Sequence, residues 1–228
     1  TPPAEEITVS IAPETMEVES TPGQKGQFTA TVTGTDNVDV TWSISGNVSE
    51  GTMITNGQLF IGEGEKAGTL TVTATSVADP TKSATATVTV VDPTFAIAVD
   101  ASVKNGTITP SAVEAIEGTE ITLTITPDEG YRLRTGTLKV NGTAIEGTSF
   151  SMPGEDAYIV AEFVKTSDLE AAIKQAESLN ENAYTSSSWA DAAQKLAAAK
   201  TVLNDTGASQ TQIDAAANAL NAAVNALV

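Results

Sequence analysis

Cysteine and histidine are both absent from this chain of 228 residues. Without cysteine the chain has no disulfide framework, no thiolate nucleophile and no zinc–thiolate site. The sequence also has no nucleophile elbow and no phosphate-binding glycine loop. We therefore expect that this segment is not an enzyme, that it has no catalytic residues and that it holds neither a cofactor nor a metal.

Basic residues are scarce, with 11 Lys and Arg against 29 Asp and Glu, which gives a net charge of −18. A nucleic-acid partner needs a basic stripe, so this class of partner is excluded. No hydrophobic run approaches the roughly 20 residues needed to span a bilayer, and we expect no membrane insertion in this segment. The chain begins Thr1-Pro2-Pro3 rather than with Met, so we expect it to be a segment of a longer polypeptide.

Alternation of apolar and polar residues predicts short strands throughout residues 1–92. Threonine fills most of the outward positions, and Gly, Asn-Gly and Asp-Pro breaks separate the strands, a pattern typical of a β-sandwich. The apolar members of the strands are Ile7, Val9, Ile11, Phe28, Ala30, Val32, Val38, Val40, Trp42, Ile44, Leu59, Ile61, Leu70, Val72, Ala74, Ala84, Ala86, Val88 and Val90.

Two aromatic residues of this region are candidates for ligand contact. Trp42 alternates with Val40 and Ile44, so the core is favoured for its ring over a binding surface. Phe60 stands between two inward residues and should point outward. It is a candidate contact residue, although a singly exposed apolar side chain is the more ordinary interpretation.

Four sequence pieces of residues 1–92 carry a family resemblance. They are ITVSIAP at 7–13, VTWS at 40–43, NGQL at 56–59 and AGTLTVTATS at 67–76. In this pattern the region resembles the bacterial Ig-like group 2 domains. The resemblance implies an Ig-like sandwich that serves as a spacer or adhesive module on surface proteins and secreted glycosidases.

The two-residue period continues through residues 93–165 after a turn at Asp92-Pro93. It predicts a small all-β or β-grasp-like body, with the Tyr131 ring in the core and its hydroxyl at the edge. The acidic pairs Asp128-Glu129 and Glu155-Asp156 could serve glycoside hydrolysis or Ca²⁺ binding. Each pair lies beside Gly or Pro in a hairpin, so a solvated turn is favoured.

Residues 93–165 also carry pieces of a second family in the right order. The pieces are EGTEITLTITP at 117–127, EGYRL at 129–133, VNG at 140–142, FSMP at 150–153 and AEF at 161–163. This region resembles the divergent internalin-type (InlB) B-repeat. The resemblance implies a surface-protein repeat that acts as a spacer or a weak protein-contact unit.

The apolar period changes from 2 to 3.6 in residues 166–228, which predicts an antiparallel bundle of three helices. Ser167 and Glu170 have the spacing of a capping box, and Ser209 and Gln212 repeat it. The second helix should start within 185–188 and stop at 204–207. The predicted inner residues are Leu169, Ile173, Ala176, Leu179, Trp189, Ala193, Leu196, Ala199, Leu203, Ile213, Ala217, Leu220, Val224 and Leu227.

The bundle region carries a third resemblance. Leu169 and Ile173, the YTxxSW motif at 184–189, AAKxVL at 198–203 and AxxxLxxAV at 216–224 resemble the FIVAR module. That family occurs in cell-wall-associated proteins and in the non-catalytic tails of large carbohydrate-active enzymes, and some members are linked to sugar or fibronectin binding. Tyr184 and Trp189 are candidate contact residues of a sugar platform, but their register with the apolar face favours a role in the bundle core.

Three modules in tandem, at 1–92, 93–165 and 166–228, resemble the organisation of Gram-positive surface proteins and the tails of secreted glycoside hydrolases. The short linkers Asp92-Pro93 and Lys165-Thr166 should restrict motion between modules. We expect a monomeric, non-catalytic spacer or interaction segment of an extracellular or cell-wall-attached protein, whose parent polypeptide could be a glycoside hydrolase. The alternative is an adhesive module for a cell-wall or host glycan or an extracellular-matrix protein.

Overall fold

The structure is a computed structural model that describes residues 5–228. The predicted start at Thr1-Pro2-Pro3 therefore lies outside the described residues. The chain divides into two compact units, and the boundary falls after Thr94. The architecture is a mostly β, sandwich-like region followed by three helices at the C-terminal end.

From residue 5 onward, the first unit contains nine strands in two layers. In one layer β1 pairs with β4, and β3 pairs with β7, which pairs with β6; in the other layer the order is β2-β9-β8-β5. Only Phe28 separates β3 from β4, so these two act as one interrupted strand, and the layers then have the strand orders of an Ig-type sandwich. The strands are β1 (Thr8–Ala12), β2 (Thr15–Glu19), β3 (Lys25–Gln27), β4 (Thr29–Thr33), β5 (Val40–Ser45), β6 (Met53–Thr55), β7 (Gln58–Phe60), β8 (Gly68–Ser76) and β9 (Ser83–Val91).

The core of the first unit lies between its two layers. Leu59 of one layer and Val72 and Val88 of the other are fully buried and belong to a single cluster. Burying side chains of this size contributes about 1.5–3 kcal/mol each, as an upper estimate. Trp42 packs against this cluster and is half-buried, which agrees with its predicted inward register.

The prediction that Val38 belongs to a strand is wrong. Val38 precedes β5 and is 59% exposed. The Asn37 side-chain oxygen accepts a hydrogen bond from the Asp39 backbone N–H at 3.1 Å. This local turn holds the backbone out of the sheet.

The second unit begins with ten strands in three sheets. The orders are β12-β10-β18-β15-β16, β11-β13-β17 and β14-β19, and β10 runs parallel to β18. All regular secondary structure between residues 95 and 165 is β-strand, so the predicted all-β content is confirmed. The β-grasp-like arrangement stays a prediction. The strands are β10 (Thr94–Val99), β11 (Gly106–Pro110), β12 (Glu114–Ile116), β13 (Glu120–Pro127), β14 (Tyr131–Leu133), β15 (Lys139–Val140), β16 (Thr143–Ala144), β17 (Ser149–Ser151), β18 (Ala157–Val160) and β19 (Phe163–Lys165).

Three helices follow, namely α1 (Ser167–Glu177), α2 (Ser186–Asn204) and α3 (Gln210–Asn225), with a 3₁₀ turn (Glu181–Ala183) before α2. The predicted start and stop of α2 are confirmed, because Thr185 is its N-cap and accepts a hydrogen bond from the Ser188 N–H. The predicted capping box of Ser209 and Gln212 is present at the start of α3.

The predicted capping box at the start of α1 is wrong. Ser167 is the first residue inside α1, the N-cap is Thr166, and no side chain caps this end. The backbone N–H groups of Thr166 and Ser167 both donate to the carbonyl of Gly130, at 2.8 and 3.2 Å. A contact with the preceding sheet therefore satisfies the first donors of the helix and makes a local box unnecessary.

The bundle core is built mainly from small residues. Ala192 and Ala199, seven positions apart, are the buried residues of α2, whereas Ala193 is exposed and its predicted inward position is wrong. Leu169, Ile213 and Leu220 are fully buried and supply the larger side chains. Val164 of β19 also belongs to this helical core, whereas Phe163 of the same strand belongs to the sheet core. The strand therefore contributes to both cores.

Candidate functional site

Tyr184 and Trp189 lie together where α2 begins. Their rings are stacked, with centroids 6.1 Å apart and planes 6° apart. Both side chains are half-buried. The Thr185 N–H and the Ser188 hydroxyl donate to the carbonyl of Val228, at 2.6 and 3.3 Å, and these hydrogen bonds hold the N-terminal turn of α2.

A small cavity of about 40 Å³ lies against Trp189. Its other walls are apolar and include Leu179, Ala192, Leu196 and Val224. A bound water needs two to four polar partners, and these walls are almost entirely apolar. Trp189 therefore lies over a gap at the edge of the bundle rather than within its buried core, and the sequence prediction of a core position is not what the structure shows.

Phe60 lies on the central strand of the sheet β3-β7-β6. Its neighbours Leu59 and Ile61 are 0% and 2% exposed, so Phe60 occupies the opposite face, as predicted. Lys25, its cross-strand partner on β3, places Nζ 5.2 Å from the centroid of the ring. Met53 is its partner on β6, and the ring is half-buried between these neighbours.

Residues of the acidic pairs in the second module make hydrogen bonds within the protein. The Asp156 carboxylate accepts the Ala96 backbone N–H at 2.8 Å, and the Glu155 carboxylate accepts the side-chain amide of Asn141 at 3.2 Å. The Asp128 carbonyl accepts the Tyr131 N–H and closes a turn. Within residues 5–228 no three acidic side chains are grouped closely enough to hold a metal ion.

Two arginines that sequence reasoning missed bind the C-terminal end of α2 and the loop that follows it. The Arg132 guanidinium donates to the carbonyls of Leu203 and Asp205, the latter at 2.6 Å. Arg134 donates through Nε to the carbonyl of Gly207 at 2.9 Å. We call these two side chains and the carbonyls they bind the arginine clamp.

The arginine clamp matches the electrostatics of a helix end. The last carbonyls of an α-helix have no partner within the helix, and this end carries partial negative charge. A guanidinium presents several donors in one plane and forms charge-assisted hydrogen bonds with such groups. Arg134 is itself oriented by an ion pair with Glu162 at 2.8 Å.

The sequence held a signal for the clamp. Arg132 and Arg134 are the only arginines of the chain, which otherwise uses lysine, and they are two residues apart. In extended backbone that spacing places both side chains on the same side of the chain. Paired arginines on one side of an acidic chain predict a surface of carbonyl or carboxylate acceptors.

A second connection joins β19 to α3. The Gln210 side chain accepts the Lys165 backbone N–H at 2.7 Å and donates to the Lys165 carbonyl at 3.2 Å. The Lys165 ammonium donates to Asp168 at 2.9 Å, and this hydrogen bond raises the pKa of Lys165 above its ordinary value. The edge of β14-β19 is thus paired with the bundle rather than open to solvent.

Comparison with known families identifies the two modules of the second unit. Residues 95–167 match the family model described as the divergent InlB B-repeat domain, and residues 166–228 match the FIVAR domain. Both are surface-protein modules. Two of the predicted resemblances are thereby confirmed, and the Ig-like group 2 resemblance stays a prediction. The matched domains are non-catalytic types, which agrees with the prediction that this segment is not an enzyme.

Several solved structures are similar to the chain at low identity. Structures of the CBM51-2 and INT domains of Clostridium perfringens ZmpB, one of them in complex with GlcNAc, are 14% and 15% identical, with a TM-score of 0.28. The chain spans about 63% and 62% of their length, and they cover 97% and 96% of it. The N-terminal four Ig domains of Dscam1 isoform 9.44 are 12% identical, with a TM-score of 0.29, over 67% of this chain and 39% of that one. TM-scores this low carry no functional conclusion.

Among the helices of residues 5–228, none combines the length and the apolar character needed to cross a bilayer.

Proposed function

We propose that the chain is a non-catalytic spacer and interaction segment of a larger secreted or cell-surface bacterial protein, such as the accessory tail of a carbohydrate-active enzyme. The two matched domain types are typical of extracellular and cell-surface proteins. The proposal includes module boundaries at 1–92, 93–165 and 166–228, a monomeric state, and an Ig-like group 2 domain in the first module. The strand order of the first unit supports the last point.

The arginine clamp is the observation that carries the spacer function. A spacer must keep its modules in fixed orientation, because flexible joints shorten the average reach of a chain. Only Thr166 separates β19 from α1, so no free linker joins the sheet to the bundle. Arg132, Arg134 and Gln210 then fix the bundle at two further points.

Distance measurement between two spin labels tests this rigidity. The chain has no cysteine, so single labels can be introduced at Thr124 on β13 and Asn218 on α3, both exposed. We expect one narrow distance distribution in the labelled chain. A double variant, R132A/R134A, should broaden it. A broad distribution in the labelled chain without these substitutions would contradict the spacer function.

A second candidate function is an adhesive module for a cell-wall or host glycan or an extracellular-matrix protein. The stacked rings of Tyr184 and Trp189 favour it, because an aromatic face left outside the half-buried stack offers an apolar surface to a sugar. Phe60 is a separate candidate contact in the first unit, where Lys25 and Met53 flank its ring.

The two indole N–H signals distinguish these contacts in one titration. Trp189 belongs to the candidate surface, and Trp42 packs against the core of the first unit, so Trp42 is an internal control. With cell-wall glycan fragments or fibronectin added, we expect the Trp189 signal to shift and the Y184A variant to lose the response. If the response is lost in F60A instead, the ligand contact is assigned to Phe60. If no signal shifts in the unsubstituted chain, this candidate function is rejected.

A further inference from the structure

An open groove of about 490 Å³ lies on the B-repeat domain, and none of the residues that the sequence predicted as contacts lines it. Its walls come from the segment after β14, from β15 and from the end of β18. The groove contains two cations, Arg134 and Lys139, one carboxylate, Glu162, and the apolar side chain of Val160. Both hydrogen-bond donors and an acceptor therefore face one space.

The groove is preformed by hydrogen bonds within its walls. The Thr137 hydroxyl donates to the Arg134 carbonyl at 2.7 Å and accepts the Glu162 N–H at 3.1 Å. The Arg134 N–H donates to the Glu162 carbonyl at 2.9 Å, and the two side chains form an ion pair. A preformed site binds without the cost of ordering loops.

An exposed aromatic ring continues this surface. Tyr158 is 56% exposed on β18, and Val160 lies two residues further along the same face, about 7 Å away. On the neighbouring strand β10 the residue opposite Tyr158 is Ala98, whose small side chain leaves space beside the ring. An exposed tyrosine beside alanine gives a flat apolar surface with a polar tip.

Lys139 completes the set of polar groups. It lies opposite Val160 on β15, and among residues 5–228 no carboxylate is within ion-pair distance of its ammonium group. Its three donors are therefore available to a ligand. The charge of Arg134 is already balanced by Glu162, so the one unbalanced charge among the groove residues is that of Lys139.

We propose that this surface, from Tyr158 to the groove at Lys139, binds a neutral oligosaccharide. Sugar hydroxyls both donate and accept, which suits the lysine donors beside the Glu162 carboxylate, and the apolar face of a pyranose suits the tyrosine ring. The net charge of −18 disfavours anionic polymers at long range. The inference goes beyond the spacer function and concerns a different module from Tyr184 and Trp189.

Amide chemical-shift titration of the full chain tests the proposal. The probes are cellobiose, lactose and maltotriose, with digalacturonic acid as the acidic comparison. We expect saturable shifts of the amides of Tyr158, Val160 and Lys139 with at least one neutral sugar. Y158A should weaken this binding by about tenfold or more.

Matched variants identify the contacts. V113A, at a side chain that is 81% exposed elsewhere on the same domain, should leave the affinity within about twofold. K139Q should weaken binding while the dispersed spectrum is retained. No saturable shift with any neutral sugar, an unchanged affinity in Y158A, or tighter binding of the acidic disaccharide would each overturn the proposal. A response confined to Trp189 would also overturn it, because the ligand would then occupy the other surface.

Discussion

Phe163 and Val164 are consecutive residues of β19, but their side chains are buried in two different hydrophobic cores. Phe163 is 6% exposed within the core of the B-repeat domain, and Val164 is 0% exposed within the core of the helical bundle. Alternation along a strand sends neighbouring side chains to opposite faces. The strand is thus a wall common to both modules, and neither module has a complete core without it.

The arginine clamp should contribute measurably to the stability of the second unit. R132A leaves helix carbonyls without their charged donor, so we expect the free energy of unfolding to fall by about 2–3 kcal/mol. R132K should recover only part of this loss, because an ammonium does not present a planar fork of donors. Denaturant titration followed by far-ultraviolet circular dichroism measures the change. A matched control is K174A on α1, where an exposed lysine should cost less than about 0.5 kcal/mol.

Gly130 should tolerate substitution less well than Gly136. Both have positive φ, +79° and +80°, so alanine at either position costs about 1 kcal/mol for the backbone alone. A Cβ on Gly130 would also lie 2.8 Å from Cβ of Ser167, whereas nothing lies within 4 Å of one on Gly136. Thermal unfolding of G130A should therefore occur at a clearly lower temperature than that of G136A. Equal transition temperatures would show that the start of α1 shifts to accommodate the added Cβ without loss of stability.

Glu65 should make the stability of the first unit depend on acid pH. Burial alone would raise its pKa, but the Thr52 hydroxyl and three backbone N–H groups donate to the carboxylate and lower the pKa below its ordinary 4.5. A lowered pKa means that this stabilisation is present above pH 4.5 and is lost as the pH falls through the value in the folded state.

The E65Q variant tests this dependence. At neutral pH we expect E65Q to be less stable than the parent chain by about 1–3 kcal/mol. The difference should shrink as the pH falls below 4.5. E63Q, at an exposed position two residues away, is the control and should track the parent chain at every pH. A constant E65Q deficit down to strong acid would contradict the argument.

Trp189 should contribute less to stability than its size suggests. Its half-buried ring lies over a cavity, so W189A should cost about 1–2 kcal/mol, below the roughly 3–5 kcal/mol typical of a buried tryptophan. L220A removes a fully buried side chain of α3 and should cost about 2–5 kcal/mol. The free energy of unfolding of the helices, measured in both variants, gives the comparison. A larger loss of unfolding free energy in W189A than in L220A would show that Trp189 is a core residue of the bundle.

Periodicity predicted the elements whose structure is determined locally. The two-residue alternation around Val72 and Val88 gave long strands, and the capping residues Thr185 and Ser209 fixed the starts of two helices. These signals depend on near neighbours in the chain, so a single sequence carries them.

Contacts between distant segments could not be predicted in the same way. Ser167 and Glu170 had the right spacing for a capping box, but the Gly130 carbonyl, far away in sequence, takes the donors instead. Ala192 rather than Ala193 is buried, because the rotation of α2 is set by the helices packed against it. Tyr158 gave no signal, since an outward tyrosine on a strand resembles any solvated position.

Hydrogen exchange of the full chain tests most directly whether the B-repeat and FIVAR modules unfold as one body. The amides of β13, α2 and α3 should share one free energy of opening, and R132A/R134A should lower that of the helices alone. Helices that already open several kcal/mol below β13 in the unsubstituted chain would contradict a common fold held together by β19 and the arginine clamp.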